Sequence, residues 1–135
     1  MTTSTTFTDT DVVRAVFQAF ADADLGALGG LLHAEATWHH RNDDPLGGIH
    51  QGSAAIAAYL AQAGQLTAGT LRAVPQSFLA DGDGRVAVLV RLSAARPDGR
   101  SMDGPQLVLF TLDGGRVRSI DQFVGDPAAV AAFWA

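Results

Sequence analysis

The chain has no cysteine, which rules out disulfides, thiol nucleophiles and zinc–thiolate centres together. Lysine is missing too: all nine positive charges are arginines, spread along the chain and outnumbered by fourteen acids, for a net charge of −5. With no basic run or stripe, no nucleic-acid partner is expected. No apolar stretch approaches the length of a membrane span. The first residues, MTTSTTFTDTD, have neither the positive n-region nor the apolar h-region of a secretory signal. A cytoplasmic protein without a membrane partner is the expectation. Gly26, Gly29 and Gly30 interrupt a helical stretch instead of opening a helix after a strand, so they do not form a phosphate-binding loop. No Ser-centred elbow with His and Asp partners is visible. What remains is 135 residues, 47% apolar and 17% charged. That reads as one globular domain over 1–135 with a real core, its residues 1–7 expected to fray.

Val13, Val16, Phe17 and Phe20 recur at helical spacing behind a cap at Thr8 or Asp9, with Asp9 and Asp11 at the positive end of the helix. Asp24 can cap a short helix over Leu25–His33, which places His33 near a helix C-terminus. Ala36–His40 reads as a short strand, followed by a glycine-rich loop. Ser53 is the expected cap of a helix over Ala54–Ala63, with Ile56, Tyr59 and Leu60 facing inward. The period then changes to two. Leu71–Leu79, Arg85–Ala95, Met102–Leu112 and Arg116–Val124 read as strands, with Pro75 marking a bulge or a sheet edge. Asp81–Gly84, Arg96–Arg100 and Asp113–Gly115 supply the turns. Asp126 and Pro127 open a last helix as cap and first residue. Helices followed by an antiparallel meander define an α+β fold, with helices packed on one face of a curved sheet.

Counting outward from the Asp113–Gly115 turn pairs Phe110 with Arg118, Val108 with Ile120 and Gln106 with Gln122. Asp121 then falls on the opposite face from Gln122, where it suits an arginine on a neighbouring strand; a one-residue slip would turn it inward. The stretch Thr37–Gly52, TWHHRNDDPLGGIHQG, gathers three of the four histidines. A metal is not expected there. His39 and His40 are neighbours on a strand and point to opposite faces, and Asp43 and Asp44 lack the regular carboxylate spacing of a hard-cation site. Asp43, Asp44, Gly47 and Gly48 have ordinary turn chemistry, and His50 is expected in the loop or on its surface. No cofactor is implied.

Five phrases of the chain carry a resemblance: FADADLGAL (Phe20–Leu28), LHAEATWH (Leu32–His39), PLGGIHQG (Pro45–Gly52), DGGRV (Asp113–Val117) and GDP (Gly125–Pro127). In order and wording they resemble the NTF2-like superfamily, in particular its SnoaL-like and ketosteroid-isomerase-like branch, over nearly the whole chain. The resemblance implies a cone in which the bent sheet wraps the N-terminal helices around an apolar pocket. It also implies a cofactor-free acid–base enzyme of isomerase, cyclase or dehydratase type, acting on an apolar small molecule of secondary metabolism. Epoxide hydrolases and non-catalytic ligand-binding or dimerisation modules share the fold. Matching ATWHH to the base-bearing strand of the isomerases turns Trp38 and His40 inward and makes His40 the base. Matching Asp44-Pro45 to the isomerases' Asp-Pro step makes Asp44 the base instead. The isomerases' oxyanion donors would fall at about Val16 and Val108, which cannot donate, and the His/Asp pair of SnoaL-type cyclases has no counterpart. The candidate catalytic residues are therefore His40, Asp44 and, in reserve, Asp121. Gln106 and Gln122 would orient a carbonyl or hydroxyl, and Trp38 would stack on a ring. Val16, Phe20, Tyr59, Val88, Val90, Val108 and Ile120 would line the pocket. Relatives of this kind often dimerise through the open face of the sheet, and Val86–Leu92, apolar on both faces, fits a homodimer.

Overall fold

The structure is a computed structural model that describes residues 8–135; the expected fraying of residues 1–7 lies outside them. Thr8 caps α1 (Asp9–Ala21) through a reciprocal pair, its hydroxyl accepting from Asp11 N–H and its own N–H donating to the Asp11 carboxylate. Such a box satisfies two of the helix's orphan donors at once. Asp24 caps α2 (Leu25–Leu31). The chain then runs through β1 (Leu32–Arg41), β2 (Gly48–Gln51) and α3 (Ser53–Leu66), followed by β3 (Arg72–Ala80), β4 (Arg85–Ala95), β5 (Ser101–Asp113), β6 (Arg116–Val124) and α4 (Pro127–Trp134). Asp126 caps α4 with Pro127 at its first position.

The sheet is a single curved, open layer of six strands in the order β2-β1-β6-β5-β4-β3. The meander from β3 to β6 is antiparallel, as its turns require, and β1 joins it in parallel against β6. Along β4, Val86, Val88, Val90, Leu92 and Ala94 are buried in strict alternation, so one face of the sheet is committed to the core. That face carries α1, whose Val12, Val13, Val16 and Ala19 are buried, and α3, which buries Ile56, Tyr59, Leu60 and Ala63. Phe110 from β5 sits almost fully enclosed and meets Phe17 of α1 edge-on at 5.7 Å, the favoured arrangement of two ring quadrupoles. No helix among the described residues is long and apolar enough to cross a membrane.

Several expectations are corrected. His33 belongs to β1, not to a helix end, and its Nε2 lies 2.9 Å from the Asp113 carbonyl. Gly52, not Ser53, occupies the cap position of α3, with φ +91° and no side-chain cap bond. The glycine-rich loop contains a strand, β2, which pairs antiparallel with β1. The β5–β6 register also differs. Phe110 faces Ile120, Val108 faces Gln122 and Gln106 faces Val124. Two shifts of one residue add up to this. Gly114 and Gly115 alone form the turn, with φ +60° and +79°, the geometry a two-residue hairpin of right-handed twist demands. A bulge between Thr111/Leu112 then steps past Arg118. Because the two shifts sum to an even number, the faces survive: Gln106 and Gln122 still look inward together. Pro75 does mark both a register shift and the edge strand.

Phe110→Ala leaves a void between α1 and the sheet that neighbours cannot close. It is expected to lower unfolding free energy by about 3–5 kcal/mol, readable as a fall in the urea midpoint with an unchanged slope.

Candidate functional site

The site begins in the six-residue connection between β1 and β2. Gly47 N–H donates to the Asp44 carbonyl, closing a tight turn. A Cβ on Gly47 would lie 2.0 Å from the Asn42 carbonyl oxygen, so only glycine allows the chain to fold back so closely. The turn carries the Asp44 side chain inward until it is 0% exposed. Its Oδ1 accepts the Leu46 N–H at 2.8 Å, and its Oδ2 accepts Asn42 Nδ2 at 2.8 Å and meets His40 Nε2 at 2.8 Å. Where the carboxylate accepts from all three, His40 Nε2 is the donor and carries a hydrogen.

His40, itself 1% exposed, stands on β1 with its other nitrogen, Nδ1, 2.9 Å from the Tyr59 hydroxyl of α3. That hydroxyl lies 3.0 Å from Gln122 Oε1, which also receives the Trp38 indole N–H at 2.9 Å. Gln122 Nε2 donates to Gln106 Oε1 at 2.6 Å. The line Asp44–His40–Tyr59–Gln122–Gln106 thus crosses from the β1–β2 turn through α3 to β6 and β5. The line has two forms that differ by one proton. With a neutral imidazole, Tyr59 donates to Nδ1. With an imidazolium, Nδ1–H donates to the phenol oxygen and the phenol hydrogen turns to Gln122. The second arrangement makes every contact a donor–acceptor pair and leaves an imidazolium beside a buried carboxylate, the compensation that such a charge needs. Burial, reinforced by the nearby Asp44 charge, holds the Tyr59 phenol protonated well above the usual tyrosine range.

Tyr59, Trp38, Gln106 and Gln122 form the polar side of a chamber of about 70 Å³, whose remaining wall is apolar and includes Val16, Phe20, Val90 and Val108. Gln106 also borders a second hollow of about 400 Å³ between β5, the end of β6 and α4. Among the described residues that line the chamber, none is ionisable except Tyr59. His40 and Asp44 do not reach the chamber wall; Tyr59 stands between them and the space. Val88 and Ile120, expected in the lining, are instead core residues with no exposed surface.

The three candidate acid–base residues divide. His40 and Asp44, read as alternatives, are hydrogen-bonded partners. Asp121 is not brought to the chamber: it lies on the outer face, where Arg41 donates to it from Nε at 2.9 Å and Nη2 at 2.7 Å, with His39 Nδ1 3.8 Å away. Asp103 likewise pairs with Arg91 through two 2.8 Å bonds. His50 is not a surface residue of a loop; its ring stacks on Tyr59 at 4.2 Å and its Nε2 lies 3.0 Å from the Leu46 carbonyl. Missed in the sequence were Tyr59 as the end of the polar line, and Trp134 and Phe17 in the chamber wall. Tyr59 could have been found from its place among inward residues of a helix, since a buried phenol must find a partner. Among the described residues, no group of three or more His, Asp or Glu side chains could hold a metal.

An open six-stranded sheet wrapping helices around such a chamber is the fold of solved structures described as NTF2-like, cystatin-like and ketosteroid-isomerase-like. Within that class, residues 13–120 match the SnoaL-like domain, and the chain belongs to this family. An uncharacterized protein of Mycobacterium tuberculosis is 32% identical over 127 residues, which span 94% of this chain and 96% of the relative. Bal32a, from a soil-derived mobile gene cassette, superposes with a TM-score of 0.91 at 31% identity, covering 94% of this chain and 96% of its own. A Pseudomonas putida structure provisionally described as a polyketide cyclase has a TM-score of 0.75 at 17% identity, covering 96% and 100%; at that identity it speaks for the fold alone.

Tyr59 is the chain's single tyrosine, so phenolate absorbance near 295 nm reports it alone. In the native protein that absorbance should stay flat through the ordinary tyrosine value of about 10 and rise only on unfolding. The unfolded chain releases this proton above about pH 10 while the fold retains it. Stability is therefore full below that pH and falls as pH rises through it, by up to about 1.4 kcal/mol per pH unit. Tyr59→Phe should remove this part of the alkaline loss in thermal unfolding.

Proposed function

We propose that this protein is a cofactor-free acid–base enzyme of the isomerase or cyclase type, acting in the cytoplasm on a small apolar molecule held in the chamber. The observation that carries this reading is the hydrogen-bonded line Asp44–His40–Tyr59, which begins at a buried carboxylate and ends at a hydroxyl on the chamber wall. A phenol held protonated is a poor free-standing base, so Tyr59 works as a conduit. As an acid, it passes its hydrogen to a substrate oxygen and takes the Nδ1 proton of the imidazolium. As a base, it takes a proton from an acidic C–H while its own hydrogen moves to the neutral Nδ1. Nε2–H stays on Asp44 in both directions, which holds the ring and stabilises its charged form. Gln106, held in place by Gln122, orients the substrate's oxygen, and the aromatic wall excludes water. Membership of the SnoaL-like family is consistent with this class of chemistry. Epoxide opening is not favoured, because among the described residues no carboxylate borders the chamber to activate water.

Proton transfer can be read without knowing the natural substrate. Cyclopentanone in D2O should exchange its α-hydrogens faster with the protein than in buffer. Tyr59→Phe and His40→Ala should each lose about 100-fold or more of that acceleration, with circular dichroism unchanged. Binding of the ketone without any exchange would favour a ligand-binding module instead.

We also propose a homodimer through the outer face of the sheet. Leu89, Leu107 and Phe123 stand side by side across β4, β5 and β6, each about 40% exposed, and exposed apolar patches of this sort mark interaction surfaces. Light scattering should give twice the 14.0 kDa chain mass, and Phe123→Asp should halve it; a monomeric wild type refutes the dimer.

A further inference from the structure

Trp38 has a second part to play, apart from any ring stacking. The indole N–H can only donate, so the Gln122 atom 2.9 Å away must be its oxygen. Gln122 Nε2 then points the other way and can only donate, so the Gln106 atom at 2.6 Å must also be an oxygen. The Gln106 Nε2 amide is thereby left facing away from its partner. Among the described residues it has no hydrogen-bond partner. Among the described residues no fully enclosed side-chain nitrogen or oxygen is left unpaired, so Nε2 opens onto empty space. Gln106 is only 5% exposed, and the spaces it borders are the chamber and the adjoining hollow. The other polar atoms of the chamber wall are already paired: Trp38 Nε1, Tyr59 Oη and both ends of the Gln122 amide.

We infer that Trp38 sets the polarity of the Gln122–Gln106 amide pair so that the chamber offers its ligand a hydrogen-bond donor, Gln106 Nε2, and therefore selects a neutral molecule with a carbonyl oxygen. Neutrality follows from the wall, which among the described residues holds no arginine and no carboxylate to meet a charge; a carboxylate or phosphate would be desolvated without compensation. This inference rests on the chamber being a small-molecule site, and deepens that reading by naming the ligand's chemistry and the residue that determines it. Replacing the indole removes the only obligate donor at one end of the chain. With a neutral imidazole, whose Nδ1 takes the Tyr59 hydrogen, both amides can then turn over, and Gln106 can present its oxygen instead. Trp38 is thus a specificity-determining residue that acts through two glutamines.

The test uses two five-membered rings of opposite polarity, cyclopentanone, which only accepts, and pyrrole, whose N–H only donates. Binding is followed by NMR on the chamber methyls of Val16, Val90 and Val108 and on the Gln106 side-chain amide. Wild type should bind cyclopentanone at least tenfold more tightly than pyrrole, with the Gln106 Nε2 resonances moving only for the ketone. Gln106→Leu should abolish the preference, and Trp38→Phe should narrow or invert it while the methyl spectrum stays folded. Equal binding of the two rings to wild type, or an unchanged preference in Trp38→Phe, overturns the inference and leaves the chamber as a ligand site. Movement of no chamber methyl with either ring overturns the small-molecule reading and this inference with it.

Discussion

A carboxylate with no exposed surface is the commitment on which this structure turns. Removing Asp44 from water costs several kcal/mol unless donors replace the lost hydration, and the chain supplies three: a backbone N–H two residues on, the Asn42 amide and the His40 ring. Two of these come from the same turn, so the anion is largely satisfied by local sequence. The third links it to the sheet. From that link onward each group is obliged by the one before it, and the obligation ends in an amide that has run out of partners. A protein that needed only a core would place valine or leucine at positions 40, 106 and 122. Here a buried polar series runs through the middle of an otherwise apolar layer, where a half-satisfied network would be worse than none.

The outer face solves a different problem with the same residue types. Asp121, Asp103 and Asp81 pair with Arg41, Arg91 and Arg85 where water reaches them. Such pairs add little to stability, and they keep charge on a sheet face that also shows leucine and phenylalanine. Alternation along β6 separates the two worlds by one residue: Asp121 looks out to an arginine, and Gln122 looks in to a tyrosine and an indole.

The fold was largely legible in the sequence because its signals are redundant. Helix caps at Thr8, Asp24 and Asp126 and the two-residue period from Arg85 to Val124 each point to the same α+β arrangement, as does the helix stripe of Val13, Val16 and Phe20. β2 was not legible, since Gly48-Ile49-His50-Gln51 has too few residues to show alternation and becomes a strand only by lying against β1. The hairpin register shifted by two because a glycine pair made the turn shorter and Arg118 was bulged out, neither of which periodicity records. The site was half legible. Strand parity set His39 and His40 on opposite faces, and the match to the isomerases' base-bearing strand turned His40 inward. Its bond to Asp44 did not, because the two compete for one role when read as a motif and cooperate only once the turn at Gly47 brings them together. Tyr59 could be placed on the inward side of its helix, but whether its hydroxyl met water or an imidazole depended on residues far away in sequence.

Those separations carry a last consequence. Trp38 and Gln122 are 84 positions apart, and Tyr59 and Gln122 are 63 apart, while the parallel seating of β1 against β6 closes the largest loop in the sheet. Long-range pairings of this kind form late, because loop closure is slow. On the ribosome, β1 must therefore wait with its apolar and histidine-bearing face unpaired until β6 has left the exit tunnel. The Gln122 end of the polar series and the finished layer then arrive together, so a partly made chain lacks both. Any condition that slows synthesis between the two strands prolongs the interval in which a nascent edge can pair with the wrong neighbour.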